Sequence, residues 1–144
     1  MEEDEVLSLT STKVVANDFV LDIGASFRIT PHKEFFETFQ SGNFGKVFLV
    51  DDKFLNIIGK GDVLLKLANG NSWLLQDVKY VPQLKNNSIS VGQLFSQGFY
   101  VRLEFSKWKV TKESLLIEKG SKIDTLYLVE TLNEVGAIHN SNGK

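Results

Sequence analysis

The chain of 144 residues has no cysteine, two prolines, two histidines and one methionine. Without cysteine a disulfide framework is impossible, and a zinc site would have to be built from carboxylates around His32 or His139, so neither a metal nor a cofactor is expected. Long apolar runs are missing too. None approaches the length of a membrane span, and the opening MEEDEVLSLT is acidic where a secretory signal is basic and then apolar. A cytoplasmic chain with no membrane partner is the expectation. An excess of positive charge is also absent: the formal net charge is −2 and the isoelectric point is near 5.7. General attraction to phosphate backbones therefore has no basis in composition, and nucleic acid is not an expected partner.

What is present is an ordinary globular composition, 42% hydrophobic and 24% charged, at a length that suits one domain. Short segments rich in Val, Ile, Leu and Phe, punctuated by Gly, Asn and Asp, predict an all-β fold. Asn69-Gly70 supplies the positive φ of a tight turn and predicts that Gly61–Leu67 pairs with Trp73–Val81. A second hairpin is expected in FYVRLEFSKWKVTK, turning near Ser106 and Lys107, and two further short strands, SLLIE and TLYLVE, around Lys119-Gly120. One or two short helices are expected. TPHKEFFETFQSG offers Thr30 as an N-cap, Pro31 at the first helical position and Gly42 as a stop, and GQLFSQGF predicts another turn of helix closed by Gly98. Residues 1–17 read as a flexible acidic segment, 18–130 as the domain and 131–144 as a flexible tail.

FVLDIGAS is the stretch that points to chemistry. Asp22 ends an apolar run and is followed by Ile23 and Gly24. Taken alone, such an Asp is a turn residue that satisfies its own backbone. Seventy residues on, NNSISVGQL repeats the outline of an apolar strand entering a glycine and a short helix. The order and spacing of FVLDIGASFRITPHKEFFETF, SGNFGKVFL, NIIGKGDVLLKLANG, DVKYVPQLKNNSISVGQL, WKVTK and TLYL resemble the retropepsin-like protease domain of copia-type (Ty1/copia) retrotransposon Gag-Pol polyproteins, the transposon TNT 1-94-like β-barrel domain. That resemblance implies a small closed β-barrel of the retropepsin type. It implies an aspartic endopeptidase that processes its own polyprotein inside a cytoplasmic virus-like particle. It also implies that each subunit gives one catalytic aspartate, so that the working site is a homodimer. Asp22 falls on that position, with Ile23, Gly24, Ala25 and Ser26 as the loop around it. Ile89, Val91 and Gly92 would pack beneath, Gly92 allowing close backbone approach. FGKVFLVDDKFLNIIG would be a flap hairpin with its tip at Val50, Asp51, Asp52 and Lys53.

The family pattern reads Asp-Ser-Gly or Asp-Thr-Gly, whereas this chain has Ile23 in the middle place. A hydroxyl there bonds across the dimer; isoleucine neither donates nor accepts. A weakened protease is therefore expected, and its alternative is an inactive β-barrel that dimerises or binds peptide. The other candidates read as structural. His32 follows Pro31 at the start of the expected helix, Asp51 and Asp52 form a solvated turn, and Gly59-Lys60-Gly61 lacks the Lys-Ser/Thr and helix of a phosphate loop. Lys79, Lys85, Arg102, Lys107, Lys109 and Lys112, spread through strands and turns, read as the solvated side of a β domain.

Overall fold

The computed structural model describes residues 15–136. The chain runs β1 (Phe19–Asp22), β2 (Arg28–Thr30), a 3₁₀ turn (Lys33–Phe35), β3 (Phe36–Ser41), β4 (Lys46–Phe48), β5 (Phe54–Asn56), β6 (Gly59–Lys66), β7 (Ser72–Tyr80), β8 (Asn87–Ser90), α1 (Val91–Ser96), β9 (Phe99–Leu103), β10 (Lys107–Lys112), β11 (Leu115–Ile123) and β12 (Leu126–Val129). The fold is all-β. Ten strands form one sheet in the order β3-β6-β7-β2-β8-β1-β12-β11-β10-β9, and β4 and β5 form a separate hairpin.

The long sheet curls on itself. Val63, Leu65, Trp73 and Leu75 from β6 and β7 share one core with Trp108 and Val110 from β10, strands far apart in the sheet order. The rings of Trp73 and Phe99 lie 5.9 Å apart, and Asn69 donates to Glu118 across 3.2 Å. A single backbone bridge joins Leu67 to Thr131. Hydrogen bonds do not close the expected barrel, however: β3 and β9 remain the two edges. A smaller cluster of Ile29, Ile57 and Val81, with Val47 and Leu55 packed on it, seats the β4–β5 hairpin.

Both hairpins form as expected, β6 with β7 around Asn69-Gly70 and β9 with β10. Helix α1 also forms, with Ser90 accepting from the Gln93 N–H as its N-cap and Gly98 at φ +90° after its end. The predicted helix at residues 31–42 is corrected: only the 3₁₀ turn is present, and Phe36 to Ser41 is a strand. Thr30 does not cap it by accepting at a helical N–H; its hydroxyl donates to Asn87 and accepts from the His32 N–H, and Thr30 itself is the last residue of β2. Strand wins because β3 pairs with β6 opposite two glycines. A Cβ at Gly59 would lie 2.3 Å from the Phe39 ring, and one at Gly61 would lie 1.9 Å from the Thr38 carbonyl and 3.1 Å from Phe36. The aromatic rings fill the space those glycines leave.

The expected turn at Lys119-Gly120 is corrected as well. Both residues lie inside β11, and the chain turns at Asp124, φ +56°. Gly120 pairs with Trp108, and a Cβ there would come within 2.5 Å of the indole. Its role is to admit that ring, not to turn the chain. At the ends of the domain, the Asn17 side chain donates to the carbonyls of Thr131 and Asn133, and Asn133 in turn bonds to Lys66 and Leu64. The remainder of the expected terminal segments, 1–14 and 137–144 with His139, lies outside the described residues.

Candidate functional site

Strand β1 lies in the middle of the sheet, parallel to β8 and antiparallel to β12. Phe19 and Leu21 point into the core and are buried. Asp22, next along, is the last paired residue, opposite Ser90. Its carboxylate Oδ1 accepts the Gly24 N–H at 2.9 Å, so the side chain both ends the strand and shapes the loop that follows.

Helix α1 holds that loop from behind. The Ser90 hydroxyl donates to the Ala25 carbonyl at 2.8 Å while it accepts the Gln93 N–H at 3.1 Å. The Gln93 side chain accepts the Arg28 N–H at 3.2 Å, where the loop re-enters β2. Arg28 is buried in turn. Its guanidinium donates to the Gln76 carbonyl at 2.7 Å and to the Gln97 side chain. Burial lowers the Arg28 pKa from its ordinary value, and the charge of Asp77 works against that shift. Ile89 pairs with Leu21 and is fully buried, and Val91 opens the helix.

The close backbone approach expected at Gly92 is corrected. Gly24 does not require glycine, because a Cβ there would meet only Asp22 Oδ1 at 3.7 Å. Gly92 does not require it either, since the nearest atom to a Cβ would be Ser90 Oγ at 3.8 Å. Neither has a positive φ in the left-handed region.

Asp22 lies on the wall of an open cleft of about 930 Å³. The loop Ile23–Phe27 continues that wall; Lys46, Val47 and Phe48 of β4 border it, with Asn86–Ser88 and Asp124–Tyr127 completing the rim. Ile23 is 68% exposed and Phe48 71%. The β4–β5 hairpin thus borders the cleft through β4, whereas Val50, Asp51, Asp52 and Lys53, expected as the tip of a flap, do not line it. The tip turns through Asp52 at φ +65°, a conformation that Asp tolerates better than most residues. Among the described residues no group of three or more His, Asp or Glu side chains is placed to hold a metal ion.

The profile of the family described as "Pol polyprotein, beta-barrel domain" matches residues 19–99, which spans β1 to the start of β9. The chain belongs to that family. It is 35% identical over 126 residues to the retrovirus-related Pol polyprotein from transposon TNT 1-94 of Nicotiana tabacum, an alignment covering 88% of this chain and 9% of that protein. The chain thus spans less than a tenth of the length of the curated relative it matches. No solved structure matches it. It is a Pol polyprotein β-barrel domain of the copia-like retrotransposon kind.

Residue-by-residue reading of the sequence located Asp22, its loop and the hairpin segment that contains Lys46–Phe48, but missed the rest of the rim. Asn86–Ser88 and Asp124–Tyr127 are brought there by the pairing of β8 and β12 with β1 over long separations, for which no local pattern exists. Arg28 had one available signal. Gln93 and Gln97 stand four apart, on one face of a short helix, and both bond to it.

Proposed function

We propose that this Pol β-barrel domain is one half of an aspartic endopeptidase. Two copies meet with their Asp22 carboxylates side by side, and the assembled site cuts extended segments of the cytoplasmic polyprotein to which the domain belongs. The observation that carries this reading is the position of Asp22 at the end of a central strand, on the wall of a cleft bordered by a hairpin. An extended peptide suits such a cleft, through backbone pairing and side chains in apolar pockets.

Two carboxylates a few ångströms apart do not both ionise readily, so the pair shares one proton and titrates as a unit. The ionised member removes a proton from water as the water oxygen bonds to the scissile carbonyl carbon. The protonated member gives its proton to the carbonyl oxygen. As the tetrahedral adduct collapses and its C–N bond breaks, the protonated carboxyl gives its proton to the departing amine and the other carboxylate takes one from an adduct hydroxyl, which leaves a carboxylic acid product and restores the singly protonated pair.

Ile23 makes the assembled site slow. Within one chain the side chain is mostly exposed and overpacks nothing; its cost arises where two loops meet. A polar partner stranded there costs about 1–3 kcal/mol, and each 1.36 kcal/mol or so corresponds to about a tenfold loss of rate. A second reading, a peptide-binding barrel without turnover, draws on one observation: Oδ1 of Asp22 is already engaged by the Gly24 N–H.

Cleavage of a peptide spanning a polyprotein junction, at mildly acidic pH, separates the two. The expected result is slow cleavage by the parent chain, cleavage at least about tenfold faster by Ile23→Ser, and none by Asp22→Asn. Turnover that survives Asp22→Asn contradicts the mechanism. Peptide binding with no turnover in any variant establishes the second reading.

A further inference from the structure

The outward face of β9, β10 and β11 carries a feature that the net charge conceals. Residues 99–123 hold six cations and three carboxylates, net +3, in a chain whose total is −2. On β10, Trp108 and Val110 point into the core, so Lys107 and Lys109 point out. Register places Arg102 beside Lys109 and Lys109 beside Lys119. Three cations therefore stand in one cross-strand row about 10 Å wide, two strand spacings, and all three are exposed. Like charges directly opposite each other on a sheet are destabilising. The carboxylate of Glu104 sits 3.5 Å from Arg102; Glu118 lies opposite Val110, on the inward side, and is bonded to Asn69.

The next outward row begins with Tyr100, 63% exposed, and Phe95 at the end of α1 packs edge-on against it at 5.8 Å with 62% of its own surface exposed. Exposed aromatic rings next to a row of cations in which Arg102 alone has a carboxylate partner are the two components by which a sheet holds a single strand of nucleic acid, phosphates on the cations and bases on the rings. An acidic peptide would use the cations and leave the rings idle.

We propose that this face binds single-stranded nucleic acid without sequence preference, phosphates lying along Arg102, Lys107, Lys109 and Lys119 and a base stacking on Tyr100. The proposal is independent of the cleft and of whether Asp22 is catalytic. Fluorescence anisotropy of the full chain with a labelled short oligouridylate, titrated between about 50 and about 200 mM salt, tests it. Four phosphate contacts to a single strand predict a slope of log K against log salt near −3. Lys109→Glu should make the slope shallower and weaken binding at least about tenfold, and Lys109→Gln, which keeps the polar surface, should lower the slope by about 0.7. Tyr100→Ala should weaken binding about fivefold or more while leaving the slope unchanged. The proposal is overturned if the oligouridylate does not bind, if the lysine variants leave the slope where it was, or if a polyglutamate peptide binds as tightly and is indifferent to Tyr100→Ala. The last result would assign the face to an acidic polypeptide.

Discussion

At Asp22 one carboxylate oxygen is fixed by the Gly24 N–H, and among the described residues no other donor reaches the group. A single chain thus presents an oriented carboxylate on a cleft wall, with Asp124 on the rim of the same cleft. Asp18, four residues before Asp22, is buried. Burial raises its pKa from the ordinary 3.8, the Val15 N–H works against the shift, and the charge of Glu130 adds to it. The folded state therefore binds the Asp18 proton more tightly than the unfolded chain does, so this residue favours folding at low pH and progressively less as pH rises from about 3.8 through the folded pKa. Urea unfolding between pH 4 and pH 7 should show the parent losing stability relative to Asp18→Asn as pH increases. A difference that is constant with pH, or of opposite slope, contradicts this account.

Among the elements, the Asp loop depends on the junction between β8 and α1. Ser90 serves twice there, as the cap of α1 and as the donor to Ala25. Ser90→Ala removes both bonds and should cost about 1–2 kcal/mol of stability, measured by chemical denaturation. Ser90→Thr, which retains the hydroxyl, should recover most of it; a Ser90→Ala chain as stable as the parent would show that the junction does not hold the loop.

Legibility in the sequence follows the same division between local and distant causes. Asn69-Gly70 and the Ser90–Gly98 frame of α1 are local chemistry and could be read directly. Phe36 and Phe39 could not, because what makes them a strand is the pair of glycines in β6, some twenty residues later. Gly120 read as a turn since nothing nearby announces that Trp108 rests on it. Likewise the Asp22 motif was legible as a motif, while the β11–β12 turn meets it only through sheet order and β4 only through the packing of its hairpin on Ile29, Ile57 and Val81.

For the whole molecule, a curled sheet with two open edges carries its carboxylate cleft on one part and its cationic rows on another, the outward face of β9–β11. The central claim is that the cleft becomes a working site only when two copies supply one Asp22 each. Mixing tests it most directly. A fixed amount of the Ile23→Ser chain is combined with an equal amount of the Ile23→Ser, Asp22→Asn chain, at concentrations where dimers form, and peptide cleavage is followed. Random pairing in a two-fold dimer predicts that activity falls to about half. Activity unchanged by the added chain, or an Ile23→Ser chain that cleaves nothing at any concentration, would contradict the account.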